Sequence, residues 1–387
     1  MLSVSPVLIK TQSQPAATSG ARPEPHIALL LPLKSASFAR AAEAVQMGFL
    51  AAANSQSHAL PVKVYGSFDE SKDIAALYQA AVSDGAVAVA GPLTRDGVAA
   101  LTTYAEITVP TLALNLAESK GVTQLYFFGL TKEAEARQVA QLAASAKLRY
   151  ATIVSTNTPL TKRLSQAFAE EWKTLGGSVT AEILFKDDPA ALALLPTAPG
   201  EAASAPAKAV SAKPDSDTLD TAALPVIAPG NMVFLAADTE KARLIRPYLN
   251  AALPVYATSQ VFNGNTDTLL NYDLNDIRFV DMPWLLQPDH PAVMVYPRAD
   301  PPLEPDRERL YALGIDAFRL VQLLLRKDWR ATLPLDGVTG LISLVNDNQF
   351  HRVALPAQIR QGRSQPPAPL PRPPTAQTPL PLIPAAP

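Results

Sequence analysis

Short apolar runs alternate with amphipathic stretches along most of this chain, and the alternation predicts repeated βα units around a mostly parallel sheet. Apolar runs at 27–33, 60–68, 86–93, 111–116 and 125–130 read as strands of a first series, and runs at 151–156, 179–185, 231–237 and 254–259 as a second. Between them, apolar residues at helical spacing predict helices over 38–54, 73–83, 96–106, 132–147, 160–175 and 239–251. Gly176 and Gly177 stop the fifth of these, because glycine tolerates the left-handed conformation past a helix end. A long amphipathic helix over 307–328 has an apolar face to dock on a sheet, and 335–355 reads as a β-hairpin turning near 346–348.

Three stretches break the pattern. Residues 1–25 carry no periodicity and are expected to be disordered. Residues 187–229, rich in Ala, Pro, Ser, Asp and Lys, bury too little apolar surface to offset ordering entropy and are expected to form a mobile insertion. Residues 363–387 form a proline-rich tail of polyproline type, also expected to be disordered. The remainder divides into two Rossmann-like α/β lobes, 26–130 plus 257–328 and 131–256 plus 329–362.

Composition narrows the function. With 387 residues and 48% hydrophobic content the chain can build more than one core, and 33 Lys plus Arg against 35 Asp plus Glu leave no basic field for nucleic acid. No cysteine is present, which removes thiolate catalysis and cysteine-ligated metals, and the four histidines lie far apart. No cofactor or metal is expected. The first residues lack a basic region and a lipobox cysteine, so neither a signal peptide nor a lipid anchor is visible, and no apolar run is long enough to span a membrane.

Open α/β sheets bind ligands beyond the carboxyl ends of their strands. The candidate cleft residues there are Ser35 and Ser37, Gly91 and Thr94, Asn115, Thr156 and Ser259. The first two loops either accept an anion at a helix N-terminus or simply cap the helix. No GxSxG, Walker or GxGxxG motif occurs, and no acid–base pair is concentrated in these loops, so the chain is not expected to be an enzyme. The segment 254–286 ends on Asp281, Pro283 and Trp284, a proline-locked tryptophan that is either a core residue at a strand end or a rigid aromatic surface.

The order of these units over about 25–362 resembles the type I periplasmic-binding-protein fold. Within it, HIALLLPL with QMGFLAA, GPLTRDGVAAL with VPTLALN, YATSQVFNG, DLNDIRFVDMPWLL, GIDAFRL and LDGVTGLISLVNDNQFHRVALPAQIRQG resemble the LppC/LpoA group of penicillin-binding-protein activators. The resemblance implies a non-enzymatic, periplasmic, outer-membrane-associated protein. Such a protein would bind and allosterically stimulate a class A penicillin-binding protein, with Asp281 and Trp284 as candidates for the partner interface. Many members are anchored through a lipidated cysteine, which this chain lacks, and some carry an N-terminal helical-repeat domain for which it has no room. The alternative expectation is a periplasmic receptor for a small ligand, an amino acid or muropeptide-like fragment, held by the hydroxyl-bearing loops. An amidase-like hydrolase on the same scaffold is a third.

Overall fold

The computed structural model describes residues 23–104, 106–116, 122–188, 192, 230–264, 268–346 and 348–370. The chain first lays down β1 (His26–Leu31), α1 (Ala39–Asn54), β2 (Val62–Gly66), α2 (Glu70–Ser83), β3 (Ala86–Ala90), α3 (Arg95–Tyr104), β4 (Thr111–Ala113) and β5 (Leu125–Phe127). It then crosses through α4 (Lys132–Ser145) to β6 (Tyr150–Ser155), α5 (Pro159–Thr174), β7 (Ser178–Leu184), β8 (Asn231–Ala236), α6 (Thr239–Ile245), β9 (Val255–Ala257) and β10 (Ile277–Asp281). After a return through α7 (Pro283–Leu286), α8 (Pro291–Met294) and α9 (Pro305–Leu324) come β11 (Leu335–Asp336), β12 (Leu341–Val345) and β13 (Gln349–Val353). A last crossing gives β14 (Leu355–Arg360) and β15 (Arg363–Gln365).

Two sheets result. The first has order β11-β12-β13-β5-β4-β3-β1-β2 and the second β15-β14-β10-β9-β8-β6-β7, each with a parallel centre and an antiparallel margin. Buried strands such as β1 and β8 are apolar on both faces, as a parallel sheet covered on both sides requires. The helices start close to where the pattern puts them, and local capping sets their ends: Asp69 accepts from Ser71 N ahead of α2, and Thr158 with Thr161 forms a capping box at α5.

Sheet membership moves the expected lobe boundaries. Val255 of β9 pairs with Ile277 of β10, so 257–281 stay in the second lobe, and Gln349 of β13 pairs with Phe127 of β5, so 335–353 belong to the first. The crossings fall after β5, after Asp281 and at Ala354. The tail is also corrected at its start. Arg363–Gln365 pairs with β14, Arg278 donates to Ala368 O and Leu370 packs on the second lobe, because the antiparallel margin offers the chain a free edge. Residues 1–22, most of the 187–229 insertion and 371–387 lie outside the described residues.

Helix α9, whose apolar face was expected to dock on a sheet, packs on β3 and β4 and above all on α1. The two helices meet at glycines: a Cβ on Gly48 would fall 1.9 Å from Tyr311 O, and one on Gly314 would fall 2.1 Å from Val45 O. That close approach brings α9 against the core and its polar first turn to the boundary between the lobes.

Candidate functional site

The carboxyl ends of the first-lobe strands face the crossings, and a buried polar cluster lies there. Glu135 sits on the α4 face that also carries Val139 and Ala143, all three buried. Its carboxylate accepts from Arg352 of β13 at 2.7 Å, from Lys132 at 3.3 Å, and from the Ser259 backbone N–H and hydroxyl at 3.0 and 2.7 Å. Lys132 Nζ also bonds the Ser259 hydroxyl. Beside it Arg309 of α9 donates to both Asp281 oxygens, the shortest contact being 2.6 Å, and to the Ser259 and Phe262 carbonyls. Gln138 of α4 closes two bonds with the Ala354 backbone at the third crossing.

These contacts join the lobes. Glu135 and Asp281 come from the second, Arg352 and Arg309 from the first. Burial raises the Glu135 pKa, but Lys132 and Arg352 outweigh it and hold the carboxyl down at about 2. Burial pulls the Lys132 ammonium below the ordinary lysine value against the attraction of Glu135. Asp281 drives the Arg309 guanidinium upward although burial opposes it.

Of the seven cleft candidates, the structure brings Gly91, Thr94 and Asn115 together, Asn115 donating to Leu93 O of the Gly91–Thr94 loop. Ser259 belongs to the cluster and is fully buried, its hydroxyl used internally. The Gly91–Thr94 loop turns on a positive φ at Gly91, where a Cβ would fall 2.0 Å from Leu30 O. Its donors are already satisfied: Leu93 N donates to Glu70 Oε1 at 3.1 Å, and Thr94 N and hydroxyl donate to Glu70 Oε2 at 2.7 and 2.6 Å. Burial still raises the Glu70 pKa above the usual carboxylate range, against these hydrogen bonds. Thr94 also accepts from Gly97 N, and Asn115 donates to Leu93 O. Thr156 is buried, and its hydroxyl has no hydrogen-bond partner among the described residues. Ser35 and Ser37 are half-buried and exposed, and neither side chain caps α1, whose cap position is Phe38.

Asp281 and Trp284, expected at a partner interface, are both fully buried, so neither presents a surface to a partner in this structure. Pro283 stands at the first position of α7 and turns Trp284 into the first-lobe core. There the indole N–H donates to Glu308, Arg298 lies 3.8 Å over the ring and Tyr311 packs at 5.4 Å. The sequence reading missed Glu70, Lys132, Glu135, Arg309 and Arg352. The available signal was a charged residue on the apolar face of a helix, as Glu135 stands with Val139 and Ala143.

Two parallel-centred sheets joined by three crossings define the type I periplasmic-binding-protein class. The chain belongs to the LppC family, whose model, described as "LppC putative lipoprotein", matches residues 19–362. A relative from Yersinia pseudotuberculosis named "Penicillin-binding protein activator LpoA" is 27% identical over 323 residues, which are 78% of this chain and 49% of that protein. One from Edwardsiella piscicida with the same name is 27% identical, covering 76% and 44%. The chain therefore spans about half the length of the curated relatives it matches. Among solved structures, a Chromobacterium violaceum protein described as a "putative branched-chain amino acid ABC transporter" superposes with TM-score 0.68 and 34% identity, covering 87% of this chain and all of that one. The C-domain of Haemophilus influenzae LpoA, described as "a regulator of PBP1A", gives 0.65 at 22% identity, covering 89% and 100%, and shows the shared fold.

Proposed function

We propose that this chain is a non-enzymatic regulator of peptidoglycan synthesis that acts on the periplasmic side, in association with the outer membrane. It binds a class A penicillin-binding protein and shifts that synthase toward its active state. The curated relatives' name supports this reading. The structural observation that carries it is the Glu70 carboxylate, which occupies the hydroxyl and backbone donors of the Thr94 loop. A small acidic ligand seeking that loop would have to displace a buried intramolecular carboxylate. The receptor alternative draws on the Chromobacterium neighbour's description but lacks open donors at its best loop. Activation requires tighter binding to the active synthase than to the resting one, and the synthase's state must reciprocally change this chain's affinity.

The test is a glycan-polymerisation assay with the organism's class A synthases, with and without this chain, alongside a binding measurement on the same pair. Binding together with a higher rate is the expected result. Neither binding nor stimulation by any of the synthases would overturn the proposal. A thermal-shift screen with amino acids and muropeptides gives the alternative its chance, and a discrete stabilising ligand would favour it.

A further inference from the structure

A crevice of about 170 Å³ lies between α4 and β13. Its walls belong to different lobes, with Arg137, Gln138 and Gln141 on one side and Gln349 and His351 on the other. Hairpin register settles the neighbourhood. Leu341 faces Val353, Ser343 faces His351 and Val345 faces Gln349, so these six share one face, while Ile342 and Phe350 are buried on the opposite one. Leu341, Val345 and Val353 are each nearly half exposed, an apolar flank beside a polar crevice.

The chemistry of the lining selects its occupant. Arg352 lies on the Ile342 face of the hairpin and is committed to Glu135 and the Thr339 carbonyl, and Glu135 is in turn engaged by Arg352, Lys132 and Ser259, which leaves Arg137 as the lining cation offered to an occupant. Arg137 is only loosely held, its contact with Glu170 being 3.9 Å long between two exposed side chains. The His351 imidazole and the Gln349 amide, both half-buried, have no hydrogen-bond partner among the described residues. The volume corresponds to about five or six waters at roughly 30 Å³ each, enough for one acidic side chain.

We propose that this crevice receives an aspartate or glutamate side chain of a protein partner. Its carboxylate pairs with Arg137 and accepts from His351 and Gln349, while the residues flanking the acid pack on Leu341, Val345 and Val353. That the partner is the synthase rests on the function proposed above; the acidic-segment chemistry does not.

The first arm of the test uses the capped tripeptides Ac-Leu-Glu-Leu-NH2 and Ac-Leu-Gln-Leu-NH2, with the His351 imidazole followed by NMR. A saturable shift is expected with the acidic peptide, at least tenfold weaker affinity with the amide, and at least tenfold weaker acidic-peptide binding by Arg137→Glu. Arg137→Lys, which keeps the charge, retains most of the affinity, and unchanged melting temperatures exclude misfolding. No shift, or equal affinity for both peptides, would overturn the proposal. In the second arm the synthase ectodomain binds Arg137→Glu at least tenfold more weakly than the unmodified chain. Equal binding overturns the crevice as the docking site. If the unmodified chain does not bind the synthase, the partner's identity is wrong and the tripeptide arm alone decides the crevice.

Discussion

Replacing Glu135 by Gln tests whether the inter-lobe cluster stabilises the fold through charge. The substitution preserves shape but removes the negative charge between Lys132 and Arg352. Holding the carboxyl at about 2 rather than the ordinary 4.5 corresponds, at 1.36 kcal/mol per unit, to about 3 kcal/mol of stability at neutral pH. The sign follows from the depressed folded value. The contribution is complete above pH 4.5, where the unfolded chain is also ionised, and is lost as pH falls toward 2. Urea unfolding of both proteins at pH 7 and pH 3 reads it directly. The unmodified chain should be the more stable by about 3 kcal/mol at pH 7 and by only about 1 kcal/mol at pH 3, other titrating groups being common to both. A difference that is the same at both pH values, or below about 1 kcal/mol at pH 7, would refute the electrostatic account.

Other substitutions probe the rest of the structure. Trp284→Ala removes a fully buried indole and leaves Glu308 and Arg298 without it; denaturant titration should show a loss of about 3–5 kcal/mol, and a loss below about 1 would contradict the core placement. Gly314→Ala drives a methyl into Val45 O, and calorimetry should show a lower melting temperature, with an unchanged one counting against the α1–α9 contact. Glu70→Ala vacates the Leu93 and Thr94 donors; acetate or leucine should then raise the variant's melting temperature more than that of the unmodified chain, and equal responses would remove Glu70 as the loop's occupant.

The alternation of strands and helices was legible because burial on both faces leaves an unmistakable apolar run, as in β1 and β8. The crossings were not, since nothing local in 257–281 says that β10 will pair beside β9 rather than leave for the other sheet. Similarly, Arg363 looked like the start of a tail because strand addition at a margin depends on the partner edge, and the proline-rich composition of 366–387 hid it. The candidate loops follow their strands, but the internal bonding of their polar groups leaves no local mark in the sequence. Glu70 reaches Thr94 across 24 residues and Glu135 reaches Arg352 across 217, and sequence separation of that order leaves no periodic trace. Pro283 opens α7, as a helix-initiating proline in the sequence suggests, but the direction in which Trp284 turns depends on Glu308 and Arg298 in the first lobe, which nothing local to 281–286 encodes.

The cluster also bears on whether these lobes move as a ligand trap. Separating them through the crossings would break Arg352–Glu135 and Arg309–Asp281, both buried. Opening would return both partners of each pair to water, and their rehydration offsets much of the lost attraction, so the pairs resist separation by much less than the loss of one partner inside an intact core would suggest. What they fix is geometry: each charge has its counter-ion only while the lobes keep this spacing. A protein partner seated across α4 and β13 needs no separation, because it contacts both lobes as the intact cluster holds them. The same residues therefore fix the spacing of Arg137 and His351, the two side chains that an acidic segment would have to meet together.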